Sequence, residues 1–275
     1  MPLSLISPDS TLSQPMSHLA AGLVLIGLWT VEGLFPLHLG RGRRLTHGLS
    51  NLGLALINAV LFQACGAALV FATEFAASHH WGLLSTLDGP AWLRWVAAVL
   101  VIDLWQYLWH RINHQIRWLW RFHAVHHSDA EMDVTSGVRF HTMEIGFSFL
   151  ARLLVLPFLG VSVPQLLLYE MLALPVILFQ HSNLRLSERL DRRLRWFLVT
   201  PGMHQVHHSR WQQETDSNFS SLLSVWDRML GTFRWNPHPE TIQLGLDGWK
   251  ESEWRQLPGM LRTPFRRRLP GETGH

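Results

Sequence analysis

Histidines recur in this sequence at spacings that suit metal binding. Three clusters read HRINH, HAVHH and HQVHH, and their histidines are His110 and His114, then His123, His126 and His127, then His204, His207 and His208. Spacings of three and four place the members of a cluster on one helical face, so each HxxHH is expected to present three imidazoles to one point. With 17 histidines in 275 residues, HxxHH should arise by chance only about 0.07 times, so two copies are a specific signal.

The clustered histidines outnumber the ligands of a single metal ion. A structural zinc takes four protein ligands and a catalytic zinc three, whereas two six-coordinate ions can share eight histidines and keep a position open. Imidazole binds iron, zinc, copper and nickel, so the ligand type leaves the identity of the metal open. The single cysteine, Cys65, excludes a cysteine zinc finger and a cysteine-ligated iron–sulfur cluster.

Three further residues are candidates for the same site. His181, in FQHSN, is predicted to be a ninth ligand. His141 is either a ligand or a residue that positions its segment through Glu144 or a backbone group. Asp103 shares a helical face with His110, so it is either an acceptor for a ligand N–H or a polar contact elsewhere in the bundle. The other histidines have no partner at ligand spacing and are predicted to be interfacial or solvated: His18, His38, His47, His79, His80, His238 and His275.

Apolar segments must position these clusters. Residues 18–37, 49–73 and 90–109 are each long enough to span a bilayer as a helix, and only 16% of the chain is charged. The loop after the first segment holds Arg41, Arg43 and Arg44, whereas residues 74–89 hold no Lys or Arg, which predicts that the histidine clusters are cytoplasmic. Thr200 is a suitable N-cap and Pro201 a suitable first residue for the helix of the third cluster.

A fourth apolar region, residues 145–180, is interrupted by proline and glycine. Its two predicted arms have about 12 and 16 residues, and the longer reaches roughly 24 Å, less than the roughly 30 Å hydrocarbon core. It is therefore predicted to be a short hairpin, tilted or re-entrant, with both ends cytoplasmic. Glu170 within it is either a structural hydrogen-bonding group or a functional one.

Two later segments complete the prediction. Residues 185–197 alternate leucines with arginines at helical spacing, which favours a helix on the cytoplasmic leaflet over a solvated helix packed on the domain. The region after about residue 235, rich in proline, glycine and arginine, is predicted to be a loose tail in which Arg266, Arg267 and Arg268 lie near lipid or in solvent. The expected fold is all-α: a polytopic helical membrane protein with three spanning helices, a short helical hairpin and a cytoplasmic helical cap. Its expected divisions are 1–95, 96–235 and 236–275.

The clusters HRINH, HAVHH and HQVHH, with FQHSN between the second and third, resemble the fatty acid hydroxylase / sterol desaturase superfamily of integral-membrane di-iron enzymes. The segment from Asn218 to Phe233 resembles the end of that family's domain. The resemblance implies two iron ions, an oxygen-dependent hydroxylation or desaturation, and a lipid substrate such as a sterol or fatty acyl chain. It implies that the eight clustered histidines and His181 are the iron ligands. Some members carry a further histidine where this chain has Ile177.

The resemblance also implies an external electron donor of ferredoxin, rubredoxin or cytochrome type, and the composition favours a bacterial inner membrane. A metal transporter is a rival, but it predicts ligands along a pathway, and these clusters gather on one side of the membrane. A metallohydrolase is another, although no nucleophile motif or paired general base stands out. The formal charge of +3 is too small and scattered for a nucleic-acid groove.

Overall fold

The computed structural model describes residues 8–248 and 254–266, and every regular element within them is a helix. The helices in chain order are α1 (Pro8–Leu34), α2 (Arg44–Ser78), α3 (Ala91–Gln115), α4 (Arg117–His127), α5 (Thr142–Leu159), α6 (Val163–His181), α7 (Glu188–Leu194), α8 (Pro201–His207), α9 (Gln212–Thr215), α10 (Val225–Met229) and α11 (Leu257–Arg262). The all-α, membrane-type fold predicted from the sequence is therefore confirmed.

Three of the described helices are long and apolar enough to cross a membrane: α3, α5 and α6. Helix α2, bent by 52°, passes the same test as a fourth if its two halves count as one span. The predicted number of three spans holds, but the predicted set differs. The apolar part of α1, Leu19–Leu34, is shorter than a span, and the second predicted span lies in the bent α2.

The predicted hairpin is longer than its proline pattern indicates. Helices α5 and α6 have 18 and 19 residues, which gives each a length of about 27–29 Å, close to the hydrocarbon thickness. Pro164 lies in the first turn of α6, where a proline does not break the helix, whereas Pro157 lies inside α5, which ends two residues later at Leu159. Pro175 is accommodated inside α6, as neighbouring membrane helices often permit. The arms of 12 and 16 residues were therefore wrong.

The tip of this hairpin touches the loop between α2 and α3. A Cβ placed on Gly82 would lie 2.2 Å from the backbone nitrogen of Gly160, so the two backbones pass in direct contact. Both residues have positive φ angles, +96° and +72°, and Gly160 ends α5 as a left-handed cap. Because the tip reaches the far ends of α2 and α3, α5 and α6 extend as far along the bundle as those helices, which favours a spanning hairpin over a re-entrant one.

Replacing Gly82 with alanine is expected to destabilise the bundle strongly. The new methyl group would overlap the Gly160 backbone, and its φ of +96° alone costs about 1–3 kcal/mol for a non-glycine residue. The measurement is the thermal unfolding midpoint of the purified protein in detergent. Gly27→Ala is the matched control, because nothing lies within 4 Å of its added methyl group. Equal midpoints for the two variants would contradict the contact.

The bundle core lies between the spanning helices. Ile102 of α3, Phe149 and Leu156 of α5, and Tyr169 and Ala173 of α6 form one buried apolar cluster. Leu222, from the region after α8, joins the same cluster and ties the histidine-bearing segments to the membrane helices. The cap, by which we mean the described residues 116–141 and 182–248 outside the long helices, is therefore packed into the bundle.

The C-terminal region is not a loose tail where it is described. Ile242 and Leu244 are only 7% and 6% exposed, and they pack in one buried cluster with Met132 and Val206. Further on, Trp254 and Met260 are buried against Leu54 of α2 and Val125 of α4. The sequence does not predict this burial, because single apolar residues among prolines and glycines show no helical period. Whether they are buried depends on the surface that they contact. Arg267 and Arg268 lie outside the described residues.

Candidate metal centre

Nine histidines converge in two adjacent groups at the ends of the spanning helices. In each group the ligand atoms all lie within 4.8 Å of one another, so each group can hold a metal ion. The first group is His110, His114, His123, His127 and His207. The second group is His126, His181, His204 and His208. The groups touch, because the rings of His127 and His208 stack with centroids 4.5 Å apart. The sequence named all nine of these residues.

Each HxxHH divides its imidazoles between the two groups. HAVHH gives His123 and His127 to the first group and His126 to the second, whereas HQVHH gives only His207 to the first. The expectation that each motif presents three imidazoles to one point was therefore wrong. Successive residues of a helix point about 100° apart, so neighbouring histidines cannot converge on one centre. Both groups consequently need both motifs.

The elements that carry the histidines begin and end as their sequences indicate. Helix α3 continues through Gln115 and so places His110 and His114 one turn apart beyond its apolar part. The Thr200 hydroxyl accepts a hydrogen bond from the Met203 amide, and Pro201 opens α8, which confirms the predicted helix start. His181 is the last residue of α6.

The outer ring nitrogens are held by acceptors. Four Nδ1 atoms face backbone carbonyl oxygens: His110 to Phe219 at 2.9 Å, His207 to Ser217 at 2.7 Å, His126 to Arg139 at 3.2 Å and His181 to Ile177 at 2.6 Å. The Nδ1 of His123 faces the Glu144 carboxylate at 2.7 Å. Because a backbone carbonyl oxygen can only accept, the four Nδ1 atoms that face carbonyls must carry the proton, and an ionised Glu144 carboxylate, which also only accepts, holds the His123 proton on Nδ1 in the same way.

The inner ring nitrogens then face one another without a proton between them. The Nε2 of His110 lies 2.9 Å from that of His207 and 3.1 Å from that of His123, and the Nε2 atoms of His126 and His181 are 3.1 Å apart. With the proton on Nδ1, these are lone pairs pointed at lone pairs, which a cation between them stabilises. Nitrogens bound at right angles to one ion at about 2.1 Å lie about 3.0 Å apart, as these do.

Burial keeps the cap histidines neutral. Burial first, and then the neighbouring imidazoles, lower the pKa of four rings well below the ordinary value: His126, His127, His204 and His208. The same causes lower the pKa of His207 to about 3. A metal ligand must be a deprotonated imidazole, so the site is prepared for a cation at neutral pH.

The loop around Asn218, which the sequence analysis noted only for its family resemblance and gave no role at the site, supplies part of the outer shell. Ser217 and Phe219 give the carbonyls that hold His207 and His110, and Asn218 between them adopts a φ of +53°. The buried Asp227 carboxylate accepts the amides of Phe219 at 2.8 Å and Ser220 at 3.1 Å. Asp227 therefore fixes the two carbonyls indirectly, and no local spacing in the sequence indicates this.

Replacing Asp227 with asparagine is expected to weaken metal binding at the first group by about 10–100-fold, the usual effect of losing an outer-shell partner. An asparagine amide nitrogen cannot accept from one of the two amides, so the carbonyl-bearing loop shifts. Cobalt titration of the purified protein, followed by its absorption bands, measures the change. Asp191→Asn is the control, because Asp191 is also buried but pairs with Arg195. An unchanged affinity in Asp227→Asn would rule out this role.

Two predicted residues stand outside both groups. His141 caps α5: its Nδ1 accepts from the Met143 amide at 3.0 Å, and its Nε2 donates to the Leu261 carbonyl at 3.2 Å. Burial lowers the pKa of His141, which keeps it neutral in this role. Both ring nitrogens of His141 are hydrogen-bonded to backbone groups. Of the two predicted roles, His141 therefore has the one of positioning its segment.

Asp103 binds other donors than the ligand histidines. Its carboxylate accepts from the Tyr169 hydroxyl, the Leu222 and Leu223 amides and the Trp226 indole, at 2.8–3.3 Å. None of these donors is a ligand imidazole. Of the two roles predicted for Asp103, the polar contact within the bundle is therefore the one observed. Asp103 joins α3, α6 and the region after α8.

His47 is a correction to the sequence analysis. It was predicted to be interfacial or solvated, yet it is 5% exposed and lies between Asp129 at 2.9 Å and Asp133 at 3.1 Å. Arg139, on the same segment as these carboxylates, reaches Asn51 of α2 and offers its carbonyl to His126. The network ties α2 to the second histidine cluster. Only long-range packing brings these residues together.

Glu170, which sequence analysis left open, forms an ion pair. Its Oε1 lies 2.7 Å from the guanidinium of Arg152 on α5, and its side chain is 40% exposed. The pair joins the two helices of the hairpin. Of the two roles left open for Glu170, this is the structural one. Glu170 is far along α6 from His181 and contacts neither histidine group.

Comparison with known proteins agrees with the site. The family model described as fatty acid hydroxylase matches residues 95–232. The chain is 30% identical over 174 residues to the ornithine lipid hydroxylase OlsE of Rhizobium tropici, covering 62% of this chain and 50% of that protein. It is 32% identical over 164 residues to the alkylglycerol monooxygenase of Xenopus tropicalis, covering 58% and 34%. No solved structure matches the chain.

A cholesterol 25-hydroxylase-like protein of Danio rerio is 28% identical over 163 residues, covering 56% of this chain and 62% of that protein. The chain spans about half the length of OlsE and about a third of the alkylglycerol monooxygenase. Fold and site together define an integral membrane protein with two histidine groups that can each hold a metal ion. Within that class, the chain belongs to the fatty acid hydroxylase family, because the family model covers half of it.

Proposed function

We propose that this protein is an oxygen-dependent di-iron oxidoreductase that hydroxylates or desaturates a lipid within the membrane. The observation that carries the proposal is the facing Nε2 lone pairs, at 2.9–3.1 Å, in two groups in contact with each other. Membership of the fatty acid hydroxylase family supports it, as do relatives named for acting on ornithine lipid, alkylglycerol and cholesterol.

The two groups would each hold one iron ion, the first through five histidines and the second through four. Bound iron would supply the oxidising power needed at an unactivated C–H bond, which no amino-acid side chain provides. The donor set fits, because imidazole nitrogen is a good ligand for iron. The second group's smaller number of histidines leaves more room for a reactant.

The chain's own residues prepare this chemistry. The carbonyls of Phe219, Ser217 and Arg139 and the carboxylate of Glu144 keep protons on the Nδ1 atoms of four rings, so that the Nε2 atoms of these rings point inward as acceptors. The four rings are those of His110, His207, His126 and His123. The seven rings outside α3 are at most 2% exposed, which excludes water from the site. Both features fix the ligand orientation before any reactant binds.

The spanning helices would bring the lipid to the site. Helix α3 ends beside His114, α5 begins next to the partner of His123, and α6 ends at His181. A substrate in the bilayer would approach along these three helices, with its reactive carbon at the level where they end. The relatives' differing substrates leave the lipid class open.

Electrons would come from a separate redox protein of ferredoxin, rubredoxin or cytochrome type. The arginines of the loop between α1 and α2 favour the cytoplasmic side for the histidines, and the inner membrane of a bacterium is the proposed location. The charge of the chain gives no support to nucleic-acid binding.

The test is reconstitution of the purified protein with iron, a reductant and ¹⁸O₂ in the presence of a bacterial lipid extract. Bound iron of about two ions per chain and a lipid product that depends on oxygen are expected. Label in the product identifies hydroxylation, and an unlabelled product with a new double bond identifies desaturation. A folded protein that binds no iron would overturn the proposal.

A further inference from the structure

The segment that joins α6 to α8 descends alongside the spanning helices. Leu198 pairs through its backbone with Leu223, and both side chains pack against the bundle cluster that contains Ile102 and Tyr169. The amide of Leu223 also donates to Asp103 at 3.0 Å. The segment is therefore in contact with the middle of α3 and α6 and does not rest above their ends.

The depth of this contact follows from the helix geometry. Asp103 precedes His110 by seven residues, which places it about 10 Å further along α3 toward the membrane. Leu198 lies at this level, since it pairs with Leu223, which binds Asp103. Phe197 lies at the same level, because its carbonyl accepts a hydrogen bond from the Ser224 amide at 3.0 Å, and Trp196 directly precedes it.

Large apolar side chains point outward there. Trp196 is 63% exposed and Phe197 is 72% exposed, and Leu190 on the preceding helix α7 is 47% exposed. At the level of spanning helices the surroundings are acyl chains, in which such side chains are stable. The predicted helix over 185–197 is shorter than expected, Glu188–Leu194, because the chain turns down into this contact.

The polar side of α7 is positively charged. Arg189, Arg192 and Arg193 are exposed. The two acidic residues of the helix, Glu188 and Asp191, both pair with Arg195, so the three exposed arginines leave α7 with a net positive charge. The surface thus combines outward aromatic residues with net positive charge on the preceding helix, the arrangement of an interfacial anchor.

We propose that α7 and the following Trp196–Phe197 pair insert into an acidic phospholipid leaflet, with the aromatic side chains among acyl chains and the three arginines at the phosphates. A soluble acidic protein fits less well, because Trp196 and Phe197 lie at the depth of the bundle core, where a soluble partner does not reach. The inference concerns anchoring of the cap and does not depend on the metal chemistry.

Spin labelling of the full chain in nanodiscs tests the insertion. In a Cys65→Ser background, a label is placed at Phe197→Cys, and its collision rates with oxygen and with a water-soluble nickel chelate are measured. Leu154→Cys on α5, 76% exposed, is the lipid control, and His238→Cys, an exposed cap position, is the water control. The Phe197 label is expected to match Leu154, with collisions favouring oxygen.

Acidic lipid tests the arginines. In the labelled protein, phosphatidylglycerol nanodiscs should give a deeper Phe197 label than phosphatidylcholine nanodiscs, and Arg189→Gln/Arg192→Gln/Arg193→Gln should lose that difference. A label that collides with nickel like the His238 control would overturn the proposal. A label shielded from both reagents would also overturn it, since it would indicate a protein contact. Unchanged depth in both lipids would refute the role of the arginines.

Discussion

His181→Ala is expected to lose the iron of the second group and to reduce lipid oxidation to about 1% of wild type or less, beyond the 10–100-fold effect of an outer-shell change. The second group has four histidines, so losing one leaves three, and His181 is the member supplied by a spanning helix. Its Nε2 lies within 3.1 Å of those of His126 and His204, so its loss opens the group on two sides. Iron per chain by mass spectrometry and product by chromatography measure the effect.

The variant must remain folded for this result to be informative. His79→Ala is the matched control, because His79 is exposed and belongs to neither group. The control should keep wild-type iron content and activity, and thermal unfolding midpoints of both iron-free variants should be close. A folded His181→Ala protein that keeps two ions and full activity would show that His181 is not a ligand.

Glu144→Ala is expected to lower iron affinity at the first group by about 10–100-fold. The Glu144 carboxylate accepts a hydrogen bond from the Nδ1 of His123 at 2.7 Å, and Glu144 is buried at 5% exposure. Without it, His123 can move its proton to Nε2, where it would compete with the metal. Competition with a chelator of known affinity measures the change. The iron affinity should fall even when no lipid substrate is present.

Glu144→Gln separates charge from geometry. Its amide oxygen can still accept the Nδ1 proton, so the tautomer is retained and the loss of affinity should be smaller than in Glu144→Ala. Equal losses in the two variants would mean that the negative charge, rather than the hydrogen bond, matters. Wild-type affinity in Glu144→Ala would contradict the outer-shell role altogether.

Much of the candidate site follows from the sequence because its signals are local. The spacing in HAVHH and HQVHH, the Thr200–Pro201 helix start and the continuation of α3 through His114 each depend on residues within two turns of one another. Helix geometry converts such spacing directly into side-chain direction. For the same reason, the position of FQHSN directly after an apolar segment was enough to predict His181 as a candidate ligand.

The prolines show where local rules fail. Pro175 reads as a break in a chain considered alone, but packing of α6 against its neighbours keeps the helix continuous across it. How far the hairpin extends along the bundle likewise depends on a distant contact, the one between Gly82 and Gly160, which are 78 positions apart. Trp254 and His47 are buried by surfaces that come from other parts of the chain.

The sequence by itself determined which histidines gather, on which helices, and that the fold is a membrane bundle. Only the tertiary structure decided how they divide into two groups, and that Glu144, Asp227 and two loop carbonyls hold them. The physical reason is that a helix sets each side chain's direction within a few residues. What that side chain meets depends on the distant chain segments that the packed bundle brings opposite it.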